Sequence, residues 1–440
     1  EAFGAGGFQQ GHLAQVAEIE ASVGLTGHGE KFGIKGGEVS LPVDTQDREG
    51  SVELVLGHPL VVLDQAETLL ARSAANSSSA KHHQAEIDAM RCEYALVYET
   101  DPEQGVFLAQ RALAELPQGW FNVRGLAYVI LGYGYLMLGE PQKGFEIIYD
   151  VLKTDESGSS MFRARLLTAL CFLHYSNADM PELGQAAAQL LKLGQKDNLT
   201  EIAAYAGYFL GCYHYLRNEL VEAEKHLIVT ASERRIAQVW STIQSACILV
   251  LTYQAMGRPE QAQISAENTI AYLAEIENVE FLPQLHALQA EVALRQEHLA
   301  EASRWARQFD PYPLPLMTMF YIPQLTLAKV LLAQDTAAGR KQAGDLLAKL
   351  YDHVLTDKRF MIEVLSLQAL LDDASGDQVG ALDKLERAIH LADPGDFIRL
   401  FIDLGPKMAG LLSYLRKQGV AIVVVLGLMA VLMVAAVAFA

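Results

Sequence analysis

The residues best suited to acid–base or metal chemistry are the twelve histidines, and they are scattered along the chain. His82 and His83 are adjacent and follow a run of serines, a context that is typical of a surface turn and not of a metal site. The sequence contains no H-E-x-x-H, no G-x-S-x-G and no pair of carboxylates at a spacing suited to general acid–base catalysis. We therefore predict that the chain is not an enzyme and has no catalytic, metal or cofactor site.

The cysteines and the overall charge exclude two further classes of function. Cys92, Cys171, Cys212 and Cys247 include no C-x-x-C pair, and each lies in an apolar stretch, so we predict buried free thiols of the kind found in a reducing compartment. The chain has 34 Lys and Arg against 53 Asp and Glu, a formal net charge of -19. Because nonspecific nucleic-acid binding depends on cations that contact phosphates, we expect no direct nucleic-acid binding.

Most of the chain has helical periodicity, interrupted by evenly spaced turns. From about Pro59 to Leu415, apolar residues recur at i, i+3, i+4 and i+7. Comparable turn residues recur at intervals of 39 or 40 residues: Thr100, Gly139, Asp179, Asn218, Gly257, Glu297, Thr336 and Gly376. Small residues follow many of these turns by five positions: Gly105, Gly144, Ala223, Ala262, Ala302 and Ala381. Such residues would let the second helix of a pair approach the first closely.

These spacings predict an all-α fold. We expect a tetratricopeptide-like, right-handed α-solenoid of antiparallel helix pairs, with repeats of about 40 residues, over residues 57–415. Residues 1–56 are Gly-rich and irregular, and we expect either a short β segment with a loop or a disordered lead-in. The first residue is Glu1 and not Met, so we also expect the chain to be part of a longer polypeptide.

The inner surface of such a solenoid is the expected place for a ligand or a partner. The positions that line the groove in tetratricopeptide arrays correspond here to Tyr133, Tyr205, Tyr208, Tyr215, Gln244 and Gln254. Tyrosine combines a flat apolar ring with a hydroxyl, which suits sugar rings and peptide side chains. The alternative is that the stretch YAGYFLGCYHYL is an aromatic core. The Pro-rich stretch 310–323 is expected to be a loop between repeats or, alternatively, a docking element.

The last part of the predicted solenoid resembles a known family. The stretches PQLTLAKVLLAQD (323–335) and ERAIHLADPGDFIRLFIDLGPKMAGLL (386–412) are similar to the solenoid of the large ATP-dependent LuxR-type transcription activators, the MalT-like proteins. The positions that carry the resemblance are Ala392, Pro394, Phe397, Arg399, Phe401, Asp403, Gly405, Met408, Leu411 and Leu412. The resemblance covers about residues 57–415.

The family resemblance implies a superhelical sensor, which binds an oligosaccharide inducer in a maltose-responsive member. It also implies an upstream ATPase of the STAND class with a winged-helix segment, and a downstream helix-turn-helix. The sequence has no G-x-x-x-x-G-K-[ST], and the nearest approach, Gly24 to Lys31, has the wrong spacing. ATP switching and DNA reading are therefore not expected of these residues.

The C-terminus is apolar. Val420–Ala440 comprises 21 residues without a charge, and a helix of that length spans about 31 Å, the thickness of a bilayer core. Arg416 and Lys417 precede it, so the positive-inside rule predicts a solenoid in the cytoplasm, anchored in the inner (plasma) membrane by this transmembrane helix. The alternatives are a terminal helix packed on a partner, or an artefact of gene fusion or reading frame.

Two functions remain open from the sequence. The first is a regulatory sensor that binds a small-molecule effector or a protein partner in the concave groove and is tethered to the membrane. The second is a membrane-anchored tetratricopeptide scaffold for protein–protein interaction.

Overall fold

The computed structural model describes residues 38–39, 54–55, 59–72, 78–97, 99, 101–232, 239–314 and 319–418. Two short strands, β1 (Glu38–Val39) and β2 (Leu54–Val55), form an antiparallel pair, with Glu38 opposite Val55 and Val39 opposite Leu54. This pair is what the structure describes of the predicted N-terminal segment 1–56.

Nineteen α-helices follow within the described residues. They are α1 (Pro59–Arg72), α2 (Ser78–Val97), α3 (Pro102–Glu115), α4 (Phe121–Met137), α5 (Pro141–Thr154), α6 (Ser160–Ser176), α7 (Met180–Lys196), α8 (Thr200–Leu216), α9 (Leu220–Ser232), α10 (Val239–Ala255), α11 (Pro259–Glu275), α12 (Leu282–Arg295), α13 (Leu299–Ala306), α14 (Pro323–Ala333), α15 (Ala337–His353), α16 (Lys358–Ser375), α17 (Gln378–Ala392), α18 (Arg399–Ile402) and α19 (Gly405–Lys417). A 3₁₀ turn, Asp393–Gly395, joins α17 to the segment before α18. From α1 to α17, and again between α18 and α19, consecutive helices pack against each other, as the predicted helical repeat requires.

The turns between paired helices repeat the same backbone conformation. One residue in each turn has a left-handed φ between 49° and 86°, and these residues are Gly139, Ala178, Asn218, Gly257, Glu297, Asp335 and Gly376. At the first of these turns the amide of Glu140 donates to the carbonyl oxygen of Tyr135 at 2.8 Å, which satisfies a carbonyl at the helix end. Because this left-handed residue recurs at intervals of 38 to 41 residues, the predicted repeat of about 40 residues is confirmed, in a fold that is nearly all helical.

Local sequence explains where the second helix of a pair begins. The Asp101 carboxylate accepts from the amide of Gln104 at 2.9 Å at the start of α3, and Asp377 does the same for Gly380 at the start of α17. Pro141 occupies the first turn of α5, where a missing N–H costs no intrahelical bond.

Small residues let paired helices approach closely, as predicted. A Cβ added at Gly144 of α5 would lie 2.8 Å from the carbonyl oxygen of Gly132 in α4, so only glycine fits without movement of the backbone. The corresponding alanines of later repeats, Ala223, Ala262, Ala302 and Ala381, are fully buried.

The Pro-rich stretch interrupts the repeat, as the sequence predicts. Helix α13 ends at Ala306 and α14 begins only at Pro323. The end of this connection enters the protein interior, where Phe320, Tyr321 and Ile322 are buried.

The helical array closes on itself. Helix α16 contacts α6, the Asp393–Gly395 turn contacts α7, and α18 contacts α8. Tyr215 of α8 and Asp403, which are 188 residues apart, are joined by a hydrogen bond of 2.5 Å. The end of the array is therefore packed against α6, α7 and α8, which belong to its third and fourth repeats.

No helix in the described ranges combines the length and the apolar content needed to cross a bilayer. The predicted span Val420–Ala440 lies outside the described residues.

The close approach of α4 and α5 predicts that Gly144→Ala destabilises the protein. The added methyl group overlaps the Gly132 carbonyl, and overpacking of this kind costs about 1–3 kcal/mol. The free energy of unfolding, measured by urea titration, should fall accordingly.

Gly410→Ala in α19 is the matched control. Gly410 is exposed, and a Cβ there would meet no atom within 4 Å, so the change should raise stability by about 0.5–1 kcal/mol through helix propensity. Equal effects at the two positions would contradict the packing described for α4 and α5.

Candidate functional site at the centre of the closed array

The inner helices of the array surround a small central cavity. Its volume is about 40 Å³, which is room for a few water molecules. The helices α8, α10, α12, α14, α16 and α18 each contribute to its wall, through Tyr215, Leu251, Arg295, Leu325, Arg359 and Leu400. Side chains of these inner helices therefore leave little free space at this point of the described residues.

Asp403 is the centre of the first of two charged clusters on this wall. Its carboxylate accepts from the hydroxyl of Tyr215 at 2.5 Å and from Nη2 of Arg295 at 3.2 Å, and it forms an ion pair with Arg399. Burial raises the pKa of this carboxyl, but Arg295 and Arg399 outweigh the burial and hold the pKa below its ordinary value. Asp403 is therefore a buried anion that three different segments of the chain satisfy.

Glu291 of α12 is the centre of the second cluster. Its side chain is 1% exposed and accepts from Lys329 Nζ, Arg295 Nε and Thr326 Oγ1, each at 3.0 Å. Burial raises the pKa of Glu291, yet Lys329 and Arg295 together hold it below the ordinary value. Because Arg295 contacts both Glu291 and Asp403, the two clusters form one network.

Residues 393–404, here called the C-terminal latch, close the array on the turn that follows α8. The amide of Ile398 donates to the carbonyl oxygen of Leu216 at 2.8 Å. Arg217 Nη1 donates to Asp396 Oδ2 at 2.7 Å, and Arg399 Nη1 donates to Asn218 Oδ1 at 3.2 Å.

The latch coincides with the motif that carries the family resemblance. The apolar motif residues Ala392, Phe397 and Phe401 are buried, and Arg399 and Asp403 make the contacts just described. The pattern recognised in the sequence is therefore the element that holds the C-terminal end of the array against α7, α8 and the turn after α8.

The end of the connection between α13 and α14, residues 320–322, lies inside the array, against the cavity. Gln244 Oε1 accepts from the amide of Tyr321 at 2.9 Å, and Gln284 Nε2 donates to the carbonyl oxygen of Tyr321 at 2.8 Å. Arg359 Nη2 donates to the carbonyl oxygen of Phe320 at 3.1 Å. Ile322 has an extended backbone, with φ -126° and ψ 115°.

Arg359 is the largest fully buried side chain of the described residues. It is 1% exposed, forms an ion pair with Glu363, and its guanidinium lies 5.1 Å from the ring centroid of Phe320 and 5.4 Å from that of Tyr175. Its Nε and Nη1 atoms have no hydrogen-bond partner in the described part of the chain. Although burial opposes the charge, Glu363 and Tyr175 hold the pKa of Arg359 above its ordinary value, so the side chain stays a cation.

The structure separates the six residues predicted to line the groove. Tyr215 and Gln244, each 1% exposed, belong to the central site. Tyr205 and Tyr208 are buried against Trp240, with ring centroids 5.5 Å apart in both pairs. Tyr133 packs against Phe172, and Gln254 is half-buried. A role of these six side chains in binding a ligand stays a prediction.

The groups that sequence reasoning missed are Glu291, Arg295, Lys329 and Arg359. A signal was present for Lys329, which lies between the buried Ala328 and Val330, and for Glu291, which follows the buried Ala290. Pairing among them could not be foreseen, since their partners come from other repeats.

The remaining reactive groups of the described residues form no second site. The four cysteines are buried and free, as predicted, and burial raises the pKa of Cys212 to about 12. The described residues contain no cluster of three or more His, Cys, Asp or Glu side chains placed to hold a metal ion.

The buried carboxylates predict a specific loss of stability in acid. Asp403 and Glu291 have folded-state pKa values below those of the unfolded chain, so their contribution is complete above an unfolded pKa of about 4 and is lost as the pH falls through the lower folded values. Asp403→Asn should cost about 3–5 kcal/mol at pH 7, because it leaves buried arginines without a full counter-charge. Melting curves from pH 7 to pH 3 test both statements.

In that pH series the difference between Asp403→Asn and the unmodified protein should shrink as the pH falls below 4. A difference that stays constant would contradict the assigned charge of Asp403. Glu222→Gln, which removes an exposed pair with Lys225, is the control and should leave the melting curve unchanged.

Comparison with known proteins agrees with this architecture. The family model described as the MalT-like TPR region matches residues 85–418, which is more than half of the chain and includes the charged network and the latch. No curated protein matches the chain. The chain belongs to the family of MalT-like TPR regions, the helical-repeat region of regulatory sensors.

Proposed function

We propose that this chain is a regulatory sensor that performs no reaction of its own and contacts no nucleic acid. An effector or partner binds at the centre of the array, and the C-terminal latch responds. Membership of the MalT-like TPR family supports a sensor role. The resemblance of residues 386–412 to the solenoid of LuxR-type transcription activators supports it further.

The observation that carries this proposal is the position of Asp403. It belongs to the latch and, through Tyr215 and Arg295, to the wall of the central cavity. A ligand that takes over a hydrogen bond of Arg295 or Tyr215 therefore changes the interactions that hold the latch closed.

The mechanism is differential binding to two states of the array. A ligand shifts the equilibrium only if its affinity for the latched state differs from its affinity for the unlatched state. Release of the latch frees the turn at 216–219 and changes the position of α19, which follows the latch directly. The latch thus couples the centre of the array to α19.

Thermal melting with a panel of sugars and other small metabolites tests the sensor role. A ligand present at one hundred times its dissociation constant should stabilise the protein by about 2.7 kcal/mol. Hydrogen exchange followed by mass spectrometry should show, with the same ligand, altered protection of the latch amides, including that of Ile398.

A stabilising ligand that leaves exchange in residues 393–404 unchanged would contradict the coupling. No shift across the panel, together with specific capture of a protein partner, would favour the scaffold function. Exchange in α3 is the internal control, because that helix lies outside the latch contacts and should not respond.

We also propose that Val420–Ala440 tethers the sensor to the membrane, on the strength of its apolar sequence. The full chain should stay in the membrane fraction after carbonate washing, and a chain that ends at Gln418 should not. Equal extraction of both chains would contradict the tether.

A further inference from the structure

We propose that the inner faces of α10, α12 and α16 form a groove that reads an extended peptide backbone, and that residues 320–322 occupy it as an internal ligand. A partner protein would replace them with an extended segment that carries two aromatic residues followed by an aliphatic one. The inference rests on the proposed sensor function and specifies the chemistry of its partner.

The internal segment is held mainly through its backbone. The two peptide groups of Tyr321 are contacted by Gln244 and Gln284, at 2.9 and 2.8 Å, and Arg359 contacts the carbonyl oxygen of Phe320 at 3.1 Å. The three side chains come from three different helices. Contacts of this kind select an extended conformation and do not depend on which side chains the segment carries.

Three glutamines occupy equivalent positions in successive repeats. Gln244, Gln284 and Gln324 lie at intervals of 40 residues, each in the first part of an inner helix. Gln324 Nε2 also donates to a backbone carbonyl, that of Pro311, at 3.0 Å. Three carboxamides at equivalent positions of successive repeats form a row of donors and acceptors that can follow an extended chain.

The pockets around the segment define the class of side chain that fits. Phe320 packs edge-to-face on Tyr215 with ring centroids 5.5 Å apart, beneath the guanidinium of Arg359. The Tyr321 hydroxyl is 2.7 Å from Thr326 Oγ1, and Ile322 is buried. A partner must fill these pockets with similar side chains, because otherwise displacement would leave apolar surface exposed.

The groove holds hydrogen-bonding groups that the internal segment does not use. Oε1 of Gln284 and Nε and Nη1 of Arg359 are buried and have no partner in the described residues. A buried polar group without a partner is unfavourable, so a segment that satisfies these atoms has an advantage over the internal one. Residues 320–322 also lie in a connection between α13 and α14, so their displacement does not require either helix to unfold.

A labelled peptide tests the groove in the full chain. The probe is a fluorescein-labelled hexapeptide with the sequence of residues 319–324, Met-Phe-Tyr-Ile-Pro-Gln, and binding is followed by fluorescence anisotropy. Phe320→Ala weakens the internal ligand and should tighten binding of the probe at least tenfold relative to the unmodified protein. Adding Gln244→Ala and Gln284→Ala should reverse that gain by at least tenfold.

Two controls keep the measurement specific. Gln263→Ala, added to Phe320→Ala, removes an exposed glutamine on α11 that bonds only Glu267 and should leave binding of the probe unchanged. A scrambled probe should bind at least tenfold more weakly. If Phe320→Ala does not give a cooperative melting transition, Tyr321→Phe replaces it, and removal of the bond to Thr326 should tighten binding by a smaller factor.

The proposed groove would be wrong if the probe bound equally to the unmodified protein and to Phe320→Ala. It would also be wrong if the Gln244→Ala and Gln284→Ala substitutions did not change the affinity for the probe. If the probe does not bind as expected but a metabolite alters hydrogen exchange in the latch, the proposed groove is wrong and the sensor function stands. If the peptide binds as expected but leaves latch exchange unchanged, the groove stands and the coupling in the proposed function is wrong.

Discussion

Closure of the array depends on a buried carboxylate, that of Asp403, between Arg295, Arg399 and the hydroxyl of Tyr215. Charges are costly to bury, and removal of one partner from a buried pair is more costly still, because it leaves an unmatched charge in a medium of low polarity. The network is therefore stable only when α8, α12 and the latch are all in place. That requirement couples segments which the sequence separates by more than one hundred residues.

Closure also gives the repeats contacts beyond their immediate neighbours. In an open solenoid each repeat contacts only its neighbours, and stability is close to a sum of local terms. Here α6, α7 and α8 also contact α16, the Asp393–Gly395 turn and α18. A change at the latch can therefore alter the contacts of α6, α7 and α8 without passing through the helices between them, which is a property suited to a sensor.

The centre of the array is filled by its own chain. Phe320, Tyr321 and Ile322 occupy the inner surface, and the remaining cavity of about 40 Å³ is too small for an oligosaccharide or a peptide. Binding of either would require a rearrangement of the latch or of the 320–322 segment. Arg295 and Arg359, which stabilise the closed form, also line this cavity.

The fold follows from the sequence because its determinants are local. Helical periodicity, the small residues at Gly144 and Ala223, and turn residues such as Gly139 and Gly376 act over a few positions, and they recur at a constant interval. The family motif was also visible, since Phe397, Arg399 and Asp403 lie close together in the chain. By contrast, only the tertiary structure decided that the inner surface is closed, that Tyr205 and Tyr208 pack against Trp240, and that Asp403 meets Tyr215. Those outcomes depend on the small rotation between successive helix pairs, which accumulates over several repeats. No local sequence pattern predicts the accumulated rotation.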